Sequence, residues 1–123
     1  MGVLGDAALP IIEICTPGGW YDYNFKYTSD ATQYLFDHGL AADVEHRIVE
    51  AAVASHEALG CRDLSRVDVM LSEHGEPQVL EVNTIPGFTS HSLVPKAAAR
   101  VGLSMARLCE RIAAMALARR KQA

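Results

Sequence analysis

The chain has 123 residues, of which 50% are hydrophobic and 21% are charged, a balance typical of one soluble globular domain. Its formal net charge of −4 at pH 7 argues against a nucleic-acid or membrane-surface binder, because such proteins carry a basic surface. No stretch approaches the roughly 18 consecutive apolar residues of a membrane span, and the 3 separated cysteines indicate neither a disulfide framework nor a zinc site. We therefore expect a protein of the reducing cytoplasm, with its cysteines reduced and partly buried.

The first residues predict a strand, a tight turn and a second strand. Residues 2–4 give the first strand, residues 5–6 the turn, and residues 8–15 the second strand with its isoleucines. No charged segment or long apolar run of a signal peptide precedes them. Because the chain starts abruptly within a sheet, we expect it to be the C-terminal piece of a longer protein.

Residues 16–60 predict a long loop followed by a helix. Residues 16–30 have no helical or strand period, contain turn formers and still carry five aromatic residues, which is typical of a functional loop. Over residues 41–59 the apolar side chains of Val44, Ile48, Ala52 and Leu59 recur at helical spacing, and Gly60 is the usual stop. We expect this helix to pack on the apolar face of the next element.

That element is a hairpin with two period-2 segments. Polar positions alternate with apolar ones over residues 66–71 and again over residues 80–83, so each strand has a polar and an apolar face. If His74 and Gly75 form a two-residue turn, opposed residues have numbers with the same sum. This register pairs Asp68 with Glu81, and residue 66 with residue 83.

The polar face of this hairpin predicts a metal and nucleotide site. Opposed carboxylates lie about 5 Å apart and repel each other unless a cation lies between them. Mg²⁺ takes oxygen ligands, usually one or two carboxylates plus substrate phosphates, and Asp68, Glu81 and the amide oxygen of Asn83 supply such a set. Arg66 beside them would offer a positive charge to a developing oxyanion. An amphipathic hairpin whose polar face merely meets water is the alternative, but the hydroxyl-rich turn segment at residues 83–92 favours a ligand-holding loop.

The remaining residues predict two helices. Residues 94–101 are expected to form a short helix, and Ser104 can cap a longer one. The longer helix would place one apolar stripe on its inner face, formed by Met105, Leu108, Cys109, Ile112 and Met115. The basic residues 119–121 would lie at its solvated end, where cations suit the helix dipole.

Two parts of the sequence resemble a known family. Arg-Val-Asp-Val-Met-Leu at residues 66–71, followed by Leu-Glu-Val-Asn-Thr-Ile-Pro-Gly at residues 80–87 and Thr-Ser-His-Ser-Leu-Val-Pro at residues 89–95, resembles the C-terminal part of D-alanine-D-alanine ligases. Residues 21–30 resemble the mobile loop of those ligases. The resemblance implies an α+β fold, namely a C-terminal ATP-grasp subdomain over residues 1–123 with a mainly antiparallel sheet and packed helices. It implies also that residues 16–30 are the mobile active-site loop, and that the family's N-terminal and central regions are absent.

The resemblance further implies a reaction and its polar residues. In this family, ATP phosphorylates the carboxylate of one D-alanine, and the amine of a second D-alanine attacks the acyl phosphate to make a peptidoglycan precursor. Asp68, Glu81 and Asn83 match the ligands of Mg²⁺ or Mn²⁺ that bridge the ATP phosphates. Arg66 matches the arginine that stabilises the tetrahedral oxyanion, with help from the backbone N–H of Gly87.

Substrate contacts follow from the same match. Ser92 and Leu93 match the segment that receives the carboxylate of the second D-alanine. Lys26 matches a lysine near the reacting groups and the ATP, and Tyr27 a tyrosine that locks the closed loop and favours an amine acceptor. The residues expected to touch the adenine are Trp20 and Leu80.

The family takes its phosphate-binding lysines and its first D-alanine site from regions that this chain lacks. We therefore expect the isolated chain to be inactive, and to need the missing N-terminal portion or a homodimer partner. Two alternatives stay open, a non-catalytic remnant that binds Mg-nucleotide and another ATP-grasp ligase such as a D-alanine-D-lactate ligase. Tyr27 speaks against D-lactate as the acceptor.

Overall fold

The computed structural model describes residues 1–15 and 32–120. Within them the strands are β1 (Gly2–Leu4), β2 (Ala7–Ala8), β3 (Glu13–Cys15), β4 (Gln33–Leu35), β5 (Leu64–Leu71) and β6 (Pro77–Asn83). The helices are α1 (Ala42–Ala58), α2 (Leu93–Arg100) and α3 (Met105–Arg120). Antiparallel pairing builds a four-stranded sheet in the order β2-β1-β5-β6 and a separate ribbon of β3 with β4. The predicted α+β class with a mainly antiparallel sheet is confirmed.

The prediction of one strand across residues 8–15 is wrong. The tight turn is present, with Gly5 at φ +66°, but β2 contains only Ala7–Ala8 and pairs with β1. The chain then leaves this sheet, and β3 pairs instead with β4. Pro10 lies in the connecting segment and has no N–H for a ladder hydrogen bond, which suits an interruption of the strand.

Helix α1 packs on the apolar face of the sheet, as predicted. Its Ala52 is fully buried against Val3 of β1 and Val67 of β5. The helix ends where expected, because Gly60 adopts φ +63° and its N–H donates to the carbonyl of Glu57. The prediction that Leu59 belongs to the apolar side of this helix is wrong, because Leu59 lies beyond the last helical turn and is 67% exposed.

Helices α2 and α3 bury a second core. Ser104 caps α3, since its hydroxyl accepts the N–H of Arg107 at 3.4 Å. Leu108 of α3 is fully buried, but Cys109 is exposed, contrary to its predicted place on the apolar stripe. Adjacent helical positions are turned by about 100° from each other, so a narrow buried stripe includes Leu108 and leaves Cys109 outside it. The buried members of this core are Leu4, Leu9, Val94, Ala97, Ala98 and Leu108.

Two details complete the fold. Cys15 and Cys61 are half-buried, as expected for reduced cysteines. Across residues 1–15 and 32–120, the structure contains no helix long and apolar enough to cross a membrane.

Candidate functional site

The β5–β6 hairpin sets the register of the site. Asp68 faces Glu81 across the two strands, and Arg66 faces Asn83, as the sequence predicts. The connection is longer than the predicted two-residue turn: it runs over residues 72–76, with Gly75 at φ +74°. A bulge in β6 at residue 80 compensates, because Val69 pairs with residue 79 while Asp68 pairs with residue 81.

Arg66 lies between the two carboxylates. Its Nε and Nη2 donate to the two Asp68 oxygens, both at 2.8 Å, and Nη2 also donates to Glu81 Oε1 at 3.1 Å. The Arg66 and Asp68 side chains are 15% and 21% exposed, whereas Glu81 is 53% exposed. The guanidinium therefore supplies the positive charge that two facing carboxylates require, and it holds Asp68 more firmly than Glu81.

Burial and the contacts with Arg66 act in opposite directions on the pKa of Asp68. Burial alone raises that pKa, but the hydrogen bonds and the charge of Arg66 favour the carboxylate form. A hydrogen bond with Glu81 acts in the same direction. The net effect lowers the pKa of Asp68 below its ordinary value, so this group is an anion at neutral pH.

Asn83 ends β6 and opens the next loop. Its Oδ1 accepts the N–H of Ile85 at 3.0 Å, which is a local side-chain turn. Asp68, Glu81 and Asn83 thus present two carboxylates and one amide oxygen along two paired strands. This set suits a hard cation such as Mg²⁺ or Mn²⁺ that completes its shell with substrate phosphates and water. In the described part of the chain, no group of three or more His, Cys, Asp or Glu residues could hold a metal by itself.

The loop after β6 is organised by Ser92. Its Oγ accepts the N–H of Thr89 at 3.0 Å and lies 3.0 Å from Thr89 Oγ1. A Cβ on Gly87 would come within 3.0 Å of the same Ser92 Oγ, so only glycine fits this approach easily. Ser92 is therefore the tight neighbour of Gly87, the residue whose backbone N–H is predicted to assist the oxyanion.

Ser92 is also the N-cap of α2, yet its side chain makes no capping hydrogen bond. The third residue of the helix is Pro95, which has no N–H to offer, so the hydroxyl turns back to Thr89 instead. The N–H groups of Leu93 and Val94 at this helix end consequently receive no side-chain cap from Ser92. Helix N-terminal N–H groups carry partial positive charge and favour anions.

An open cleft of about 750 Å³ joins the hairpin to the other elements. Three predicted polar residues line it together, namely Arg66, Asp68 and Glu81. Leu80, predicted to touch the adenine, and Leu93, predicted to belong to the acceptor segment, line it as well. Leu80 is the bulge residue and is 59% exposed, which leaves it available to a flat ring. Asn83, Gly87 and Ser92 are not among the described residues that line this cleft.

Three predicted contacts, Trp20, Lys26 and Tyr27, lie outside the described residues. Sequence reasoning also overlooked Thr89 and Pro95, which together decide where the Ser92 hydroxyl points. The overlooked signal was local: a proline three positions after an N-cap serine removes one of the two N–H groups that the serine usually accepts.

Comparison with known proteins identifies relatives of this chain. A family model described as D-ala D-ala ligase C-terminus matches residues 1–114. The D-alanine--D-alanine ligase of Aromatoleum aromaticum is 50% identical over 106 residues, which are 86% of this chain and 34% of that protein. The corresponding ligase of Bordetella petrii is 51% identical over 102 residues, or 83% of this chain and 31% of that protein. The chain thus spans about a third of the length of the curated relatives it matches.

Solved structures give the same picture. The crystal structure of the D-alanine--D-alanine ligase from Bacillus anthracis superposes with a TM-score of 0.83 at 36% identity, covering 98% of this chain and 39% of that one. The ATP complex from the same organism also gives 0.83, at 32% identity, covering 98% and 38%. The VanG D-Ala:D-Ser ligase of Enterococcus faecalis gives 0.75 at 38% identity, covering 93% and 34%.

Proposed function

Because the chain belongs to the D-alanine-D-alanine ligase family, with the ATP-grasp type of α+β fold, we propose that it supplies the catalytic C-terminal portion of an ATP-dependent ligase that joins two D-alanines. The observation that carries this proposal is the Arg66–Asp68–Glu81 cluster, held on one face of two paired strands beside an open cleft. Catalysis would consist of positioning and electrostatics, with no covalent intermediate on the protein.

Asp68, Glu81 and Asn83 are the proposed ligands of Mg²⁺ or Mn²⁺. When bound, such an ion would neutralise charge on the transferred phosphoryl group. Asp68 is the firm member of this set, since Arg66 keeps it ionised. Glu81 is half exposed and contacts Arg66 at the longer distance of 3.1 Å, so it can turn towards a ligand more readily than Asp68. The relative that was solved with ATP supports this nucleotide assignment.

Arg66 is the residue proposed to stabilise the oxyanion. The attack of an amine on an acyl phosphate places negative charge on the former carbonyl oxygen, and a fixed guanidinium stabilises that oxyanion. The bidentate contact with Asp68 holds the Arg66 guanidinium in one orientation. In this proposal the Gly87 backbone N–H is a second donor to the same oxyanion, by its match to the family.

The N-terminal end of α2 is the proposed acceptor site. The carboxylate of the second D-alanine would meet the Leu93 N–H and the Ser92 hydroxyl, at the positive end of the helix dipole. Pro95 favours this arrangement because it removes one of the two helix N–H groups that Ser92 could otherwise cap. The Ser92 hydroxyl is held by Thr89, which fixes its position before a substrate arrives.

The remaining roles rest on the family match alone. Lys26 would approach the ATP and the reacting groups, Tyr27 would secure the loop and select an amine acceptor, and Trp20 with Leu80 would contact the adenine. Residues 16–30 would form the active-site loop of a domain that spans residues 1–123. The product would enter peptidoglycan synthesis in the cytoplasm.

The length of this chain relative to its relatives bears on its activity. Its relatives are roughly two and a half times as long, and the proposed ligase needs ATP and D-alanine contacts from their other regions. We therefore propose that residues 1–123 act together with such an N-terminal portion, or with a partner copy, and are inactive alone.

A second candidate differs in the acceptor. The VanG structure is named a D-Ala:D-Ser ligase and is 38% identical to this chain, a value similar to that of the B. anthracis ligase. D-serine and D-alanine carry the same amine and carboxylate, so the described acceptor end at Ser92 and Leu93 suits both. The non-catalytic Mg-nucleotide module is the remaining alternative.

The test uses a chimeric ligase in which this chain replaces the matching third of the A. aromaticum enzyme. Phosphate release from Mg-ATP is measured with D-alanine alone, with D-alanine plus D-serine, and with D-alanine plus D-lactate. We expect D-alanine-dependent turnover that is lost in Asp68→Ala and Glu81→Ala but kept in Glu110→Ala, which removes an exposed carboxylate on α3.

The isolated chain is tested in parallel. Calorimetric titration with Mg-ATP, and the same phosphate assay, separate a binding module from an active ligase. A folded chimera without turnover would overturn the ligase proposal. Binding of Mg-ATP by the isolated chain, without turnover in the chimera, would favour the remnant module.

A further inference from the structure

The β3–β4 ribbon needs support from outside itself. It is a two-stranded unit separate from the main sheet, and such a unit is marginal in water on its own. Its β4 strand is exposed along its length, with Tyr34 and Leu35 at 39% and 37%. Contacts with another element must therefore fix where the ribbon lies.

Helix α2 makes two such contacts of the same kind. Lys96 Nζ lies 4.5 Å from the centre of the Tyr34 ring, and Arg100 Cζ lies 5.4 Å from the centre of the Phe36 ring. Both distances fall within the range of about 6 Å for an attractive contact between a cation and an aromatic face. Arg100 also approaches Asp37, at 4.0 Å.

The two contacts are matched in spacing. Tyr34 lies in β4 and Phe36 lies one residue beyond its end, so their Cα atoms are separated by at most about 7 Å. Lys96 and Arg100 lie on one face of α2, separated by about 6 Å from four rises of 1.5 Å. Each cation can therefore meet its own ring without distortion of either element.

Helix α2 is the fixed member of this pairing. Its opposite face carries Val94, Ala97 and Ala98, which are buried in the core to 1% exposure or less. The ribbon adds only the partly buried Ile12 and Phe36 to that core from its flanks. The core therefore fixes helix α2, and the two cations attach the ribbon to it.

The position of the ribbon bears on the candidate site. Glu13 and Ile14 of β3 line the same cleft as Arg66 and Asp68. Ile14 is the direct partner of Tyr34 across the ribbon, so the Tyr34 side chain lies one strand spacing from a residue of the cleft wall.

We propose that Lys96 and Arg100 are positioning residues of the ligase, which act by holding the β3–β4 ribbon as one wall of the catalytic cleft. The inference rests on the proposed function, because the cleft is the site of that reaction. Neither cation needs to touch a substrate. Each contact contributes about a two- to five-fold factor, the value of one exposed cation–aromatic contact.

The experiment is a double-mutant cycle in the chimeric ligase. Lys96→Met removes the charge but keeps the length of the side chain, and Tyr34→Leu removes the ring. We expect each to lower kcat/KM about three-fold, and the double variant to lower it no further. Lys96→Arg and Tyr34→Phe, which keep a cation and a ring, should retain the parental value. Arg107→Met on α3 is the matched control, since its cation pairs only with exposed Glu110 in the described contacts.

Stability is measured on the same variants by urea denaturation. We expect the urea midpoint to stay close to the parental value, because the ribbon is peripheral to both cores. Equal losses of kcat/KM that add in the double variant would overturn the proposal, and so would a loss in Lys96→Met that Tyr34→Leu does not reproduce. A parental chimera without turnover refutes the proposed function instead, and it is recognised before any variant is compared.

Discussion

Arg66 is expected to be a stabilising residue as well as a catalytic one, and Arg66→Met tests this. Its pair with Asp68 is bidentate and largely buried, at 15% and 21% exposure. Breaking a fully buried pair costs about 3–5 kcal/mol, and breaking a surface pair about 0–1 kcal/mol. An intermediate burial gives about 2 kcal/mol for Arg66→Met at pH 7, or roughly 10 °C in Tm for a domain of this size. The half-exposed Glu81 contact adds little.

The sign of the pH dependence follows from Asp68. In the parental protein its folded pKa is lowered, so the pair stabilises the fold above the unfolded pKa of about 3.9, and this stabilisation is lost as the pH falls through the folded pKa. Without Arg66, burial dominates and raises the pKa of Asp68 in the folded variant. As the pH falls from neutral, Asp68 in the variant becomes protonated, and the destabilising effect of its unpaired buried charge decreases. The difference in unfolding free energy is therefore greatest near pH 7 and shrinks towards pH 3.

Urea denaturation of the 123-residue chain, followed by circular dichroism at several pH values, measures this difference. Arg47→Met is the matched control, because Arg47 also contacts two carboxylates but lies at the surface, with Glu76 62% and Asp43 76% exposed. We expect it to cost less than about 1 kcal/mol. The reasoning is refuted if Arg66→Met costs no more than Arg47→Met at pH 7, or if its cost grows in acid.

Three further changes have expected outcomes. Glu81→Gln should lower chimera turnover at least about 100-fold, because the proposed metal ligand is lost. The urea midpoint should barely move, and a stable, active variant would contradict the metal assignment. Gly87→Ala should raise the KM for the acceptor about ten-fold, the value of one hydrogen bond, because its Cβ would push on Ser92 Oγ. The KM for ATP should stay unchanged, and equal changes in both constants would show general damage. Ser65→Ala should cost about 1–3 kcal/mol of unfolding free energy, since it leaves the buried Nδ1 of His56 without its partner at 2.7 Å, and chimera kinetics should stay parental.

Most of the fold was predictable where one physical signal dominates. Helix α1 follows from apolar residues at helical spacing and from Gly60, and Ser104 marks the start of α3 by its capping hydroxyl. The failures are places where tertiary packing decides. The isoleucine-rich segment at residues 8–15 has strand composition throughout, yet the chain divides it between two sheets.

The site was predictable in its pairings but not in its internal contacts. Alternation showed that Asp68 and Glu81 share a face, and it implied that a cation must lie between them. It did not show that Arg66 itself reaches both carboxylates, because the reach of a long side chain depends on rotamers and neighbours. In the same way, the hydroxyl-rich loop was visible in the sequence, but the contact between Gly87 and Ser92 depends on the path of the folded loop.

The hairpin shows how a correct register can follow from an incorrect turn. The predicted two-residue turn fixes the sum of paired residue numbers, and the actual connection over residues 72–76 lowers that sum by one next to the turn, where Leu71 meets Pro77. The bulge at Leu80 restores the predicted sum before Asp68 and Glu81 are reached. A slip of one residue without this bulge would place Glu81 opposite an apolar neighbour and turn its carboxylate to the wrong face. The bulge is therefore the element that lets a longer turn coexist with the carboxylate pair, and it also leaves Leu80 exposed at the cleft.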